Sequence, residues 1–464
     1  MKRIHTWIPG LVGTALFGAV VIACSGESRV ISSEPENDAS LPPPSTPADA
    51  GPDAPAPPPI PKPAFDPADE TVTCSKQPCA VELVAGDQHF CARMNDGTVR
   101  CWGANGSGVL GRAASENEAP SVVEVDGLTA VQQLSSSGTT ACALATGGTV
   151  HCWGKNTDGL LGQITDTGDP VSDGDAHPTP APVALPGPAV RVDIGPRVGC
   201  AILATGETWC WGYNGAAQLG RPTTQTLGAP ALTPLAGLEA VRTAHGAYTS
   251  FAVTEAGDIV SWGTVGGPRG NLSARMASME LDPNPLPIGL ADVSKLVVTT
   301  STEYQPPGFP QPPLQVYQHA CAVSGGEVYC WGNSEYAALG TGTPDRALKP
   351  TRTDIDSGLA WAQQVAVGGE TTCIRLTDGK VHCAGDNRLG TLAIGEDAGA
   401  KFSMAFRPAT EVPGYTVAIA ATRSAVCALA KTGEVACWGA NDVGQLGQGT
   451  KDDDAHGTPV SVKF

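Results

Sequence analysis

One short pattern returns seven times in this chain and limits what it can fold into. In six copies two cysteines sit nine or ten positions apart, with a glycine-bearing turn between them and Trp-Gly or Ala-Gly after the second. These copies are CARMNDGTVRCWG (91–103), CALATGGTVHCWG (142–154), CAILATGETWCWG (200–212), CAVSGGEVYCWG (321–332), CIRLTDGKVHCAG (373–385) and CALAKTGEVACWG (427–439). A seventh, FAVTEAGDIVSWG (251–263), has Phe251 and Ser261 where the cysteines would stand. The closing glycines follow one another at 51, 58, 51, 69, 53 and 54 residues. A period near 50 with strand-like content, and no sustained 3.6-residue apolar periodicity, predicts an all-β chain. The expected fold is a seven-bladed β-propeller of four-stranded blades.

The turn chemistry supports direct pairing of the cysteines. If they face each other across a hairpin, the ten-residue interval leaves a three-residue loop. Its third residue is Gly97, Gly148, Gly206, Gly257, Gly379 or Gly433 in all six copies of that length. Glycine suits the left-handed residue that ends such a loop. The copy at 321–332 is one residue shorter, and its centre becomes Gly325-Gly326, as a type I′ turn requires. The deletion changes the turn and keeps the cysteines opposite, at a separation a disulfide can span. Six bridges are therefore expected: Cys91–Cys101, Cys142–Cys152, Cys200–Cys210, Cys321–Cys330, Cys373–Cys383 and Cys427–Cys437. Cys74 and Cys79 can pair around the intervening SKQP. These intervals are not zinc-ligand spacing, and no metal or cofactor is expected.

Two further strands recur in each unit. A lead strand precedes the clasp (AVELVAG at 80–86, for example), and a strand opening on proline follows it (PSVVEV at 120–125; PVSVKF at 459–464). Folded sequence thus begins on a lead strand and finishes on a post-proline strand. That phase predicts a ring closed by the C-terminal strand pairing beside residues 80–86 in the N-terminal blade.

The N-terminus reads as a targeting segment. Lys2 and Arg3 precede an apolar run that ends Val21-Ile22-Ala23-Cys24. This resembles a bacterial lipobox, so residues 1–23 are expected to be a lipoprotein signal peptide and Cys24 the lipid-bearing residue. Ordinary cleavage near Ala23 is the other reading. Residues 24–73, rich in Pro, Ala and Asp, cannot assemble a core and read as a disordered tether to the propeller at 74–464. The expected location is the bacterial cell envelope, with membrane attachment by the lipid alone. Ser25 favours the outer membrane. The net charge is −18. Residues 25–73 carry nine acids and two bases and Lys2 and Arg3 precede them, which leaves −13 for residues 74–464. An acidic body repels phosphate backbones and argues against nucleic-acid partners.

The tracts WGANGSGVLG, WGYNGAAQLG (211–220) and WGANDVGQLG (438–447), with GDQHFCAR before the first clasp, resemble the repeat of the regulator of chromosome condensation family. The resemblance covers about residues 80–464 and implies a seven-bladed propeller. It departs at Cys383-Ala384-Gly385, which has no Trp, and at WGTVGGPRGN, which lacks the Asn-xx-Gly-x-Leu-Gly tail. The founding member's nuclear role is not implied for an acidic, disulfide-bearing chain; secreted bacterial members, among them an inhibitor of a β-lactamase, are closer in style.

Candidate chemistry is sparse. The recurring Trp102, Trp153, Trp211, Trp262, Trp331 and Trp438 read as packing, and the recurring Asn105, Asn156, Asn214, Asn387 and Asn441 as turn-forming residues that tolerate the left-handed region. His89 and His319 share one repeat position, so structure explains them better than catalysis. The acidic stretch 156–178 could ligate calcium, but its spacing fits no EF-hand and a solvated loop is favoured. In an up-and-down blade, the connections carrying insertions at 155–180, 264–284 and 300–316 share one face. That face is expected to bind a partner, with Tyr304, Phe309 and Tyr317 as anchors. The expected function is a non-enzymatic binding module for an envelope protein or polysaccharide. An inhibitor of a secreted enzyme, a lectin-like binder, and an enzyme with its site at the channel mouth remain open alternatives.

Overall fold

Strands form where apolar residues alternate with small polar ones, and each turn falls on a glycine. The computed structural model describes residues 71–464 apart from 115–118, 236–237, 265–273, 275–280, 300–317, 354, 356–357, 359 and 396–399. Cys24, the tether up to residue 70, Tyr304, Phe309 and Tyr317 lie outside the described residues. Seven four-stranded antiparallel sheets form the ring of a β-propeller. In the first blade the strands are Ala80–Ala85, His89–Met94, Val99–Gly103 and Ala119–Glu124, in that order across the sheet. The six later blades repeat this order from their inner strands, Val131–Ser137, Ala189–Ile194, Ala240–His245, Val293–Val298, Ala362–Val367 and Thr416–Ala421.

The clasp folds as the turn chemistry requires. Cys91 stands opposite Cys101, and the equivalent pairs stand opposite each other in five further blades. All six are bonded, with Cα atoms 4.1 Å apart in the first. Cys74 is bonded to Cys79. Gly97 adopts φ 82°, and the two-residue turn of the short copy places both Gly325 and Gly326 at positive φ.

The phase of the blades differs from the expectation. Each post-proline strand pairs with the clasp strand it follows, as Cys101 does with Val123. The C-terminal strand Asp452–Ser461 therefore pairs with Val435–Asn441 in the last blade, with Val460 opposite Cys437, and not beside residues 80–86. The reason is local. The second clasp strand forms the outer edge of its hairpin, and the returning chain needs only a loop to run antiparallel along it. Pairing with the next lead strand would instead occupy the edge that each inner strand turns towards the central channel.

Closure rests on side chains and turns. Each of the seven seams between neighbouring blades holds an apolar cluster. Every recurring tryptophan is fully buried. Trp153 Nε1 donates to the Val109 carbonyl of the preceding blade at 2.7 Å, Trp211 to Leu160, Trp262 to Gln218 and Trp438 to Thr391. Trp102 makes the same bond backwards across the chain ends, to Gln445 at 2.9 Å. A second bond repeats beside it: the amide of Val131 donates to Gly97, that of Ala189 to Gly148, and that of Ala80 to Gly433. Head and tail therefore meet as any two blades do.

The blade without tryptophan finds a substitute. Ala384 is fully buried in one cluster with Phe406, which comes from the outer strand of the same blade. A Cβ on Gly340 would run into the Phe406 ring, as one on Gly162 would meet the Trp211 indole. One aromatic ring thus still fills that seam, from a different strand.

Trp102→Phe keeps most of the ring and removes the N–H, leaving the Gln445 carbonyl without its donor. We expect a loss of about 1–3 kcal/mol in urea unfolding, matched by Trp153→Phe at an ordinary seam. A silent Trp102→Phe beside a costly Trp153→Phe would show that the ends are held some other way.

Candidate functional site

Two connections in each blade, from inner to second strand and from third to outer strand, open on one face; the other face carries the tight clasp turns. The long connection between Val150–Lys155 and Ala176–Pro182 lies on the open face. The other two insertions, at 264–284 and 300–316, fall largely outside the described residues, so the expected aromatic anchors are not placed.

Two arginines mark the described part of this face. Arg197 donates from Nε to Asp158 of the preceding blade at 2.8 Å and from Nη2 at 3.2 Å. Its guanidinium lies 3.6 Å from the centre of the Tyr213 ring and 5.5 Å from that of Tyr248. Burial works against the Arg197 charge, but Asp158 outweighs it and raises the pKa. Arg388 grips Asp386 through Nε and Nη2, reaches Glu370 at 2.9 Å, and lies 4.1 Å from the Tyr336 ring centre of the preceding blade. Cation and ring attract each other in this geometry. Asp158 and Tyr336 occupy the same loop position, five residues after Trp153 and Trp331. Both hold positive φ, 64° and 52°, a conformation that costs a non-glycine residue on the order of 1 kcal/mol. In two blades, then, a strained residue is held against an arginine of the next. Sequence reading missed these stations because their members come from different repeats; the signal in reach was a non-glycine residue at a position where the loop turns left-handed.

The recurring asparagines bond locally but do not adopt the left-handed region. Asn105 Oδ1 accepts the Leu110 amide at 3.0 Å while its Nδ2 donates to Ala113, and Asn156, Asn214, Asn387 and Asn441 repeat the pattern. Asn156 has φ −103°. The left-handed positions of the loop belong to its glycines and to a few residues such as Ala217. Two acids of 156–178 are taken up internally: Asp158 by Arg197, and Asp173 by His177 at 2.8 Å and by Asn156. Among the described residues no three His, Cys, Asp or Glu side chains gather as a metal site.

The inner strands enclose a channel of about 490 Å³. Its wall is latched from blade to blade. Glu82 accepts the Leu134 amide of the next inner strand at 3.2 Å and pairs with Arg93 at 2.8 Å. Gln133 grips both backbone groups of Val192, and Gln364 both of Ile419. Asp193 accepts the Thr243 amide at 2.9 Å and is clamped by Arg191. Burial raises the Glu82 pKa, and Arg93 offsets this only in part. Burial also opposes the Asp193 charge, but Arg191 and the Thr243 amide overcome it and hold the pKa low. Three buried histidines brace the same region. His89 Nε2 meets Ser136 Oγ at 2.8 Å, His319 Nε2 meets Thr372 Oγ1 at 2.8 Å, and His245 bonds Ser250 and Thr243.

A closed ring of blades with one elaborated face and a latched central channel is the architecture of a propeller scaffold. The regulator of chromosome condensation (RCC1) repeat matches residues 80–109, 131–160, 362–391 and 417–445, and a second description of that repeat matches 325–374. The chain carries RCC1 repeats. It is 29% identical over 280 residues to the RCC1 domain-containing protein RUG3, mitochondrial, of Arabidopsis thaliana, covering 59% of this chain and spanning 58% of the length of that one. It is 26% identical over 376 residues to the ultraviolet-B receptor UVR8 of the same plant, covering 79% of this chain and 78% of the receptor. The crystal structure of Prp20p from Saccharomyces cerevisiae shares the fold with a TM-score of 0.63 at 18% identity, over 85% of this chain and 88% of that one.

The histidines set an acid limit. Burial lowers the pKa of His89 and His245 from 6.5 to about 4 and that of His319 to about 3. The unfolded chain takes up these protons near pH 6.5 and the folded chain only below 4, so stability is complete above 6.5 and falls as the pH drops towards 4. The loss should be on the order of 3 kcal/mol per imidazole. Urea midpoints measured from pH 7 to 4 should fall steeply, and less steeply in His89→Gln and His319→Gln. Midpoints level across that range would contradict the assignment.

Proposed function

We propose that this chain is a non-enzymatic binding module that engages a protein partner with its open loop face. Lipid on Cys24, and the tether at 24–73, would hold it at the bacterial cell envelope. The observation that carries this reading is the asymmetry of the ring: one face ends in minimal clasp turns, while the other bears the lengthened connections and the arginine–tyrosine stations. Arginine and tyrosine are the side chains that most often dominate protein contacts. The solved Prp20p, similar in fold, is described with binding properties to Gsp1p and histones, and yeast RCC1 is seen bound to Kap60. Seven disulfides suit an oxidising compartment, which favours an exported chain. The channel carboxylates Glu82 and Asp193 are committed to backbone amides of the next blade, which weighs against the alternative of an enzyme at the channel mouth.

Two variants of the full chain test the two halves of the proposal. Cys24→Ser should abolish labelling by a fatty-acid analogue and release the protein from membranes. Arg388→Ala combined with Tyr336→Ala should fold normally and lower capture of an envelope protein at least tenfold. Capture that survives this double substitution, or survives protease treatment of the extract and fails after periodate, would refute the protein-binding face; the latter would point to a glycan.

A further inference from the structure

The seam that closes the ring carries the bonds common to the other seams and one addition. As elsewhere, Ala80 donates to Gly433, and Asn95 donates to the carbonyl of Cys79 as Thr146 does to that of Ala130. Ahead of Ala80 the chain forms a small loop closed by the Cys74–Cys79 disulfide. The Thr73 amide donates to the Lys431 carbonyl at 2.7 Å and the Ser75 amide to that of Thr432 at 2.9 Å, both in the clasp turn of the last blade. The Cys79 end belongs to the first blade: Asn95 Oδ1 accepts the Cys79 amide at 3.1 Å, and Asn95 Nδ2 donates to Gln77 at 2.8 Å. Among the described residues no other seam has backbone bonds from the segment ahead of its inner strand to these two turn positions. Cys74, flanked by two bonds to the last blade, is thus covalently tied to the entry of the first.

This bridge also differs from the six clasps in reach. No clasp cysteine is more than 1% exposed. Cys74 is half-buried, and Ser75, Lys76, Gln77 and Pro78 beside it are all exposed. Thiol–disulfide exchange needs a thiolate to reach a sulfur, so access decides which bridge reacts. A clasp can react only after its hairpin opens, whereas the Cys74–Cys79 loop is accessible in the folded ring. Lys76 adds a positive charge within the loop, which favours an incoming thiolate.

We infer that Cys74–Cys79 is a thiol-exchange site, at which a dithiol reductant opens the bridge and frees residues 73–78 from the last blade while the six clasps stay oxidised. A thiolate of the reductant attacks Cys74 Sγ. The S–S bond breaks, and Cys79 Sγ takes the electron pair and a proton. The second thiol of the reductant then displaces Cys74 Sγ and closes its own disulfide, so two electrons and two protons pass to the chain. The bonds of Ala80 to Gly433 and of Trp102 to Gln445 do not depend on the bridge, so the seam loosens and the ring stays closed. The site lies on the clasp-turn face and stands without the function proposed for the open one.

The test treats the native full chain with dithiothreitol, quenches it by alkylation, and reads labelling by peptide mass spectrometry and amide protection by hydrogen exchange. Cys74 and Cys79 should be alkylated at least tenfold faster than any clasp cysteine. The amides of Thr73 and Ser75 should then exchange at least tenfold faster, while that of Ala80 keeps its protection. Cys74→Ser combined with Cys79→Ser should reproduce this exchange pattern without reductant. Three results would overturn the inference: clasp cysteines labelled as fast as Cys74 and Cys79, no labelling of Cys74 until the chain unfolds, or selective labelling that leaves exchange at Thr73 and Ser75 unchanged or spreads it to Ala80.

Discussion

The indole N–H that reaches back to a carbonyl of the preceding blade is the bond on which the ring depends. A four-stranded sheet of about 25 residues cannot bury both its faces, so each blade is stable only between two others. The tryptophan supplies a large apolar surface at the seam and fixes the register of the two blades through one directional bond. The disulfide acts at a different level. It ties two strands inside one blade and leaves neighbouring blades to the apolar clusters. The fourth blade shows the division: Phe251 and Ser261 replace the cysteines, yet Trp262 still donates to Gln218 of the third blade.

The same division explains what was legible in the residues. The clasp, its turn types and the number of blades follow from local spacing, because cross-strand pairs and left-handed glycines impose fixed intervals. The phase of the blades does not follow, since a post-proline strand lies between two candidate partners in sequence and only geometry selects the earlier one. Phe406 carries no repeat signature and takes the place of a missing tryptophan from another strand. The latches of the channel wall, Glu82, Gln133 and Gln364, recur at one position but differ in chemistry, so no residue type flags them. The aromatic residues expected to anchor a partner, Tyr304, Phe309 and Tyr317, lie outside the described residues, whereas Tyr213, Tyr248 and Tyr336 carry no expectation from the sequence.

Charge is distributed with purpose across this architecture. Residues 25–73 carry nine acids and two bases, and the two arginines of the open face, Arg197 and Arg388, each sit where two blades meet. Arg197 and Arg388 are placed by carboxylates and aromatic rings from separate blades, and each can present its remaining donors only while the ring is closed. Recognition on the open face and integrity of the seams are therefore one property, and stability lost at a distant seam would also loosen the face.

The phase of the blades is the claim from which the rest follows, and hydrogen exchange on a chain lacking residues 452–464 tests it most directly. The account predicts that amides of residues 435–441 lose protection while those of 80–85 keep theirs. Selective loss of protection in 80–85, with 435–441 unchanged, would mean that the final strand completes the first blade and would contradict the account.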